Sequence, residues 1–465
     1  MDFNKKQNVY FVGIGGISMS AIAILLKNKG FTVSGSDFKE SEEVEELRKK
    51  GIKVNIGHKK ENITSDIDLV VYSKAIHNDN EEIKEAKAQN IPLISRSKIL
   101  GEIMANYDKR ICVSGTHGKT TTTSIISKVL IDKKFDPTIN IGGNVDCIGG
   151  NYRIGNNEDF FVAEACEYTN SFLDFYPNYA IVTNIDADHL DFFKDLDDIR
   201  NSFKKFVSLV PENGVVSINN SIENYEDIVK DVKAKVVTFG DNENADYYFK
   251  NLEYDDENNL SFDVYKKCQH LGNIKQKLIG KHNALNFIAA FSILDNLGVS
   301  FNDIKNSLAD FKGAKRRLEV KGLVNGITFI DDYAHHPTEI LASINALKNL
   351  SYNNMYLVFQ PHTYSRTKAL IDDFAYALGE SEIVILAKIY AARENDLNEI
   401  NSEHLKNKIS SNKMNKNNFC EYFGTFEEIY EYISNNAKNN DIVVTMGAGD
   451  IYKLFDLFID NKNKS

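Results

Sequence analysis

Short apolar runs, each closed by a glycine or a polar residue, recur along this chain and alternate with longer segments of helical period. VYFVG (9–13) reads as a buried strand and SMSAIAILLKNKG (18–30) as a helix stopped by Gly30. FTVSGSD (31–37) and DLVVYS (68–73) follow as further strands. RICVSG (110–115) opens a second group that continues with DFFVAEA (159–165), YAIVTNI (179–185) and VVSIN (215–219). After RICVSG comes an amphipathic helix with Ile125, Ile126, Val129 and Leu130 on one face. The polar run at 241–259 reads as hairpin and loop at a sheet edge, and GKHNALNFIAAFSILDNLG (280–298) as a long helix. GAKRRLEVKG (313–322) reads as a linker into ITFIDDY (327–333), MYLVFQP (355–361), EIVILAKIY (382–390) and DIVVTMG (441–447), before a polar tail from Phe455 expected to fray. Strands alternating with helices predict an α/β protein with parallel sheets. A length of 465 residues predicts about three domains, placed here at 1–105, 106–312 and 313–465.

Composition narrows the partners. Hydrophobic residues make up 42% and charged ones 26%, a soluble globular balance, and the net charge is −11. Nucleic acid and anionic membranes both want a basic surface, so any phosphate must be held by a local site. Cys112, Cys147, Cys166, Cys268 and Cys420 show no paired spacing, which predicts neither a disulfide framework nor a zinc cluster. The N-terminal residues lack signal-peptide anatomy and no uncharged stretch reaches membrane length; the expected location is cytoplasmic.

Two glycine turns then suggest phosphate chemistry. In VGIGGISMS, Gly13, Gly15 and Gly16 follow a strand and open a helix, where backbone N–H groups can approach a pyrophosphate. Asp37 ends the next strand, 22 residues after Gly15, where an acid often meets a ribose hydroxyl. Ser18 stands where a dinucleotide fingerprint has its third glycine, and a tight turn without ligand is the plain alternative. The second turn is VSGTHGKTTTTSII (113–126), in which Val113 occupies the place of the first glycine of the common phosphate loop. Gly115, Thr116, His117 and Gly118 still let successive N–H groups point inward as an anion nest. Lys119 supplies a point charge for outer phosphates, Thr120 a hydroxyl for Mg²⁺, and Thr121 and Thr122 further donors; a threonine-rich helix cap is the alternative. Glu164 and Glu167 in VAEACEY, with Asp186, Asp188 and His189 in IVTNIDADHLD, lie at strand ends where an open parallel sheet binds ligands. Such groups suit Mg²⁺ held against phosphates, although histidine is an unusual ligand for that ion.

GTHGKTT, the EAxE segment, NIxxDHLD, GKHNALN, DDYAHHP and FQPHTYSRT occur here in the order found in the Mur ligases, and the chain resembles that family over essentially its whole length. The short G-x-x-G-K-T spacing is the family's own form of phosphate loop. The resemblance implies a Rossmann-like N-terminal domain, a P-loop-type central ATPase domain and a Rossmann-like C-terminal domain. It implies an ATP- and Mg²⁺-dependent ligase that joins L-alanine to the carboxylate of UDP-N-acetylmuramate through an acyl phosphate. On it, Gly13, Gly15, Gly16, Ser18 and Asp37 bind the UDP part, and Gly115 to Thr121 with Glu164 and His189 bind ATP phosphates and metal. His282, Asn283 and Asn286 fall to adenine, Arg316 and His335 to the phosphates, and Asp332 to the ATP ribose. Tyr333, His362 and Arg366 fall to the reacting end and the amino-acid carboxylate. Either His189 or His335 is left as the acceptor of an amine proton. Two positions depart from the family pattern: Cys166 replaces an aspartate, with Glu167 left unassigned, and Thr363 replaces a second arginine. A ligase adding a tripeptide to the same sugar nucleotide, and a nicotinamide-dependent oxidoreductase, are the rival readings.

Overall fold

The computed structural model describes residues 7–73, 76–77, 79–189, 192–255, 259–392, 394–396, 399–411 and 419–462. It contains three sheets, carried by two compact units. The first unit takes the chain up to Phe249 together with 264–271 and 285–308; the second takes 250–263, 272–284 and 309 onward. Within the first unit the N-terminal and central sheets share one continuous core that runs from Val9 and Phe11 to Phe161 and Phe206.

The N-terminal sheet is all parallel, in the spatial order Lys53–Ile56, Thr32–Asp37, Asn8–Val12, Leu69–Tyr72, Leu93–Ser95. The order reverses beside Asn8–Val12, which puts the Gly13–Gly16 turn at the switch point where such sheets take ligands. Helix Ile17–Asn28 follows at once, and Gly30, at φ +90°, lets the chain turn back into the next strand.

In the central sheet Lys109–Ser114 lies between Tyr179–Val182 and Phe160–Glu164, parallel to both. Val215–Asn219 and Lys235–Gly240 extend it on one side, and Thr138–Val145 with its antiparallel partner Gly150–Arg153 on the other. Tyr247–Tyr254, inside the run expected to be hairpin and loop at a sheet edge, is a strand that joins at Phe239 and Gly240. Helix Lys119–Asp132 is not amphipathic as expected. Thr122, Thr123, Ser124 and Ser127 are as buried as Ile125 and Val129, because the helix is covered on all sides.

The second unit carries a sheet in the order Glu319–Val324, Ile327–Asp332, Ile442–Met446, Met355–Phe359, Ile383–Leu386, Phe419–Tyr422, parallel except for its first strand. The expected linker therefore ends in an edge strand, since residues 319–324 find a partner in Ile327–Asp332 across the Asn325–Gly326 turn. The tail is helical over Leu454–Lys462 and does not fray there, because Phe455 and Phe458 pack on Phe329 at ring distances of 5.3 and 4.7 Å. No helix among the described residues is long and apolar enough to cross a membrane.

Candidate active site

The Gly115–Gly118 loop is braced by residues that follow the neighbouring strand Tyr179–Val182. His117 N–H donates to Asn184 Oδ1 at 2.8 Å, and Asn184 Nδ2 and Thr183 Oγ1 both donate to the His117 carbonyl, at 3.0 and 2.6 Å. Asp186 N–H donates to Thr116 Oγ1 at 2.9 Å, and His117 Nε2 lies 3.0 Å from Asp186 Oδ2. Gly115 (φ +131°) and Gly118 (φ +81°) adopt backbone that favours glycine, and there is no room for side chains: a Cβ would stand 2.0 Å from Thr183 Oγ1 at the first and 2.3 Å from Asn286 Oδ1 at the second. Asn286 thus props the loop, with Thr122 Oγ1 donating to it at 3.4 Å.

Lys119 is folded over its own loop. Its ammonium donates to the carbonyls of Gly115 and Thr116 and reaches both oxygens of Glu167, at 3.2 and 3.4 Å. Burial alone would lower its pKa, but Glu167, Cys166 and Glu164 outweigh that and the net shift is upward. Glu167 is 2% exposed and lies 3.9 Å from His189 Nε2, while His189 stacks on Tyr168 at 4.4 Å. Glu164, the expected metal carboxylate, accepts from Gly142 N–H through Oε1 at 2.8 Å. The residue left unassigned is therefore the one that touches both Lys119 and His189. Spacing did not distinguish it, since one glutamate ends the strand Phe160–Glu164 and the other lies three residues on.

Among the described residues no group of three His, Cys, Asp or Glu side chains is arranged to hold a metal. The donors nonetheless fit Mg²⁺, which commonly takes one or two carboxylates and completes its shell with substrate phosphates and water. Thr120 Oγ1 makes no hydrogen bond among the described residues, and Glu164 ends the neighbouring strand with Glu167 just beyond it.

At the first turn, Gly13 and Ile14 donate to the Ser36 carbonyl at 2.9 and 2.8 Å. Asp37 braces the turn with both oxygens, accepting from Gly15 and Phe38 N–H at 2.8 Å each. Each oxygen keeps a lone pair free for a ribose hydroxyl. Gly16 is the N-cap of helix Ile17–Asn28.

The second unit assembles Asp332, Tyr333, His335, His362 and Arg366. His335 Nδ1 lies 2.9 Å from the Tyr333 carbonyl, to which it donates, and burial pushes its pKa down to about 4. The ring is therefore neutral at pH 7, with Nε2 as its basic atom. His362 lies 6.1 Å away, 3.3 Å from Arg366 Nη1 through Nδ1. Thr363 between them has φ +68°, a costly value for a β-branched residue, held by its N–H bond to the Tyr390 carbonyl at 2.9 Å. Burial raises the Asp332 pKa to about 6, and Ser343 donates to its carboxylate. His282, also pushed down to about 4 by burial, packs against Gly280, where a Cβ would come within 2.6 Å of it. Asn283 Nδ2 donates to the Ile279 carbonyl at 2.7 Å and so holds its own loop.

Arg316 lies 5.0 Å over the Tyr333 ring. Its guanidinium donates to Asp331 Oδ2 at 3.0 Å and to the carbonyls of Gly449 and Gly447 at 3.2 and 2.6 Å. Its neighbour Arg317 lies 5.2 Å over the Tyr333 ring and 3.8 Å from Glu339, and its charge acts on His282, Asp332 and His335. Two adjacent arginines look alike in sequence. They differ in the carboxylate each faces, Asp331 for Arg316 and Glu339 for Arg317.

Three family models match in chain order: the Mur ligase family catalytic domain over residues 8–108, the Mur ligase middle domain over 113–294, and the Mur ligase glutamate ligase domain over 316–449. The chain belongs to the Mur ligase family. This Mur ligase is 47% identical to the UDP-N-acetylmuramate–L-alanine ligase of Agathobacter rectalis, with 98% of each chain covered. It is 48% identical to the enzyme of that name from Acetivibrio thermocellus, over 99% of this chain and 97% of the other. The crystal structure of UDP-N-acetylmuramate–alanine ligase from Thermotoga maritima matches this Mur ligase with a TM-score of 0.81 at 29% identity, covering 98% and 99% of the two chains.

Proposed function

We propose that this Mur ligase joins L-alanine to the carboxylate of UDP-N-acetylmuramate, with cleavage of ATP to ADP and phosphate, as a step in making peptidoglycan precursors. The observation that carries this is identity near 47% over 98% of the chain to ligases of that name. A carboxylate is a poor acyl donor because its oxygen leaves badly. Transfer of the ATP γ-phosphoryl makes an acyl phosphate; the alanine amine attacks its carbonyl carbon, and the C–O bond to phosphate breaks. Positioning and charge neutralisation dominate such transfers.

Gly115 to Gly118 cradle the phosphates and Lys119 moves from Glu167 to a phosphate oxygen. Thr120 with Glu164 or Glu167 would hold Mg²⁺, whose contribution is to neutralise charge between the β- and γ-phosphates. His335, neutral with Nε2 free of its own proton, and His189, 3.9 Å from Glu167, are the two candidates for accepting the amine proton. Arg366 and His362 take the amino-acid carboxylate, and the Gly13–Gly16 turn takes the UDP diphosphate. The reaction is placed in the cytoplasm, where its nucleotide substrates are.

The test is ADP release with Mg-ATP, UDP-N-acetylmuramate and L-alanine, each omitted in turn. ADP formation that requires all three supports the assignment. Equal hydrolysis without the sugar nucleotide refutes it, and a tripeptide accepted in preference to L-alanine transfers it to the rival ligase.

A further inference from the structure

Arg96 opens helix Arg96–Met104 in the first unit, and its side chain is half-buried. Among the described residues its guanidinium has one polar partner, and that partner is neutral: Nη1 donates to Ser18 Oγ at 2.9 Å. Arg48, Arg153, Arg316 and Arg317 each face a carboxylate, while Arg110 and Arg200 donate to backbone carbonyls and Arg366 meets His362. Arg96 meets neither a carboxylate nor a carbonyl among the described residues, only the Ser18 hydroxyl. An ion withdrawn from water without a counter-charge is costly, so a guanidinium in such a place is paired or awaits an anion.

Its position says which anion. Ser18 is the second residue of the helix that the Gly13–Gly16 turn opens, so the guanidinium is aimed at the rim of that turn. We propose that Arg96 binds the diphosphate of the sugar nucleotide at the Gly13–Ser18 turn, with Ser18 Oγ holding the guanidinium in line. This rests on the sugar-nucleotide reading above. Backbone N–H groups at a helix start satisfy one side of a phosphate, and a planar five-donor fork supplies the charge on the other. The glycine that a dinucleotide fingerprint has in the place of Ser18 would leave Arg96 with no partner to aim it.

The test is calorimetric binding of UDP-N-acetylmuramate to the full chain, wild type against Arg96→Ala and Arg96→Lys, together with kcat and KM for ligation. We expect the Kd and KM of Arg96→Ala to rise roughly 10- to 100-fold, with kcat falling by much less, and Arg96→Lys to recover part of the loss. Binding of a non-hydrolysable ATP analogue, unchanged in both variants, shows that the fold is intact. An unchanged Kd in Arg96→Ala overturns the proposal, as does a collapse of kcat at unchanged Kd, which would put the guanidinium on the reacting carboxylate. A wild-type chain with no affinity for the sugar nucleotide overturns the parent reading and this one with it.

Discussion

Replacing Lys119 by alanine removes the cation that stands against Glu167 and Glu164 at the mouth of the phosphate loop. The two carboxylates are then unopposed, so the site loses attraction for phosphate and gains repulsion together. A unit charge about 4 Å from a phosphoryl oxygen is worth about 4 kcal/mol at an effective dielectric of about 20. Loss of one preorganised donor in comparable sites costs about 2.7–4 kcal/mol, which is roughly 10²–10³ in turnover. Steady-state ADP release at saturating UDP-N-acetylmuramate and L-alanine gives kcat, and calorimetry gives the affinity for the sugar nucleotide. That affinity should not change, since the Gly13–Asp37 turn is held by Ser36 and Asp37, neither of which touches Lys119. Because the substitution strands a glutamate that is 2% exposed, the rates are compared below the unfolding midpoint of the variant. A Lys119→Ala enzyme within tenfold of wild-type kcat would refute the reasoning.

Arg317→Ala should lower kcat/KM at least tenfold while leaving thermal stability nearly intact. Arg316→Ala should instead strand buried Asp331 and lower the unfolding midpoint by several degrees; the reverse pattern would restore Arg316 as the ligand-facing residue. Arg366→Ala should raise the KM for L-alanine tenfold or more with a smaller change in kcat, and an unchanged KM counts against its placement. His335 sits near pKa 4 in the fold against an ordinary value of 6.5, so the unfolded chain binds more protons between those limits. Stability on its account is full above pH 6.5 and is lost as the pH falls toward 4. Comparing wild type with His335→Gln should reveal about 2 kcal/mol of that loss between pH 7 and 5 in chemical denaturation. Equal slopes for the two proteins would show that the ring is not buried neutral.

The pattern of apolar runs was enough for the α/β class, for the strands that carry both glycine turns, and for the ordered motifs that mark the family. Those are local properties: a strand followed by Gly-Lys-Thr and a helix is written in consecutive residues. Charge and side-chain partners were not legible in the same way. Glu164 and Glu167 are three residues apart on one segment, and Arg316 and Arg317 are adjacent. Which glutamate meets Lys119, 48 residues away, and which arginine turns to Asp331, 15 residues away, depends on backbone direction and on what else fills the space. The same holds for the phosphate loop, which is braced by Thr183 and Asn184 about 67 residues on. Contacts across such separations exist only once parallel strands have put their ends side by side, and pairing of that kind has no period along the chain for a reader to find.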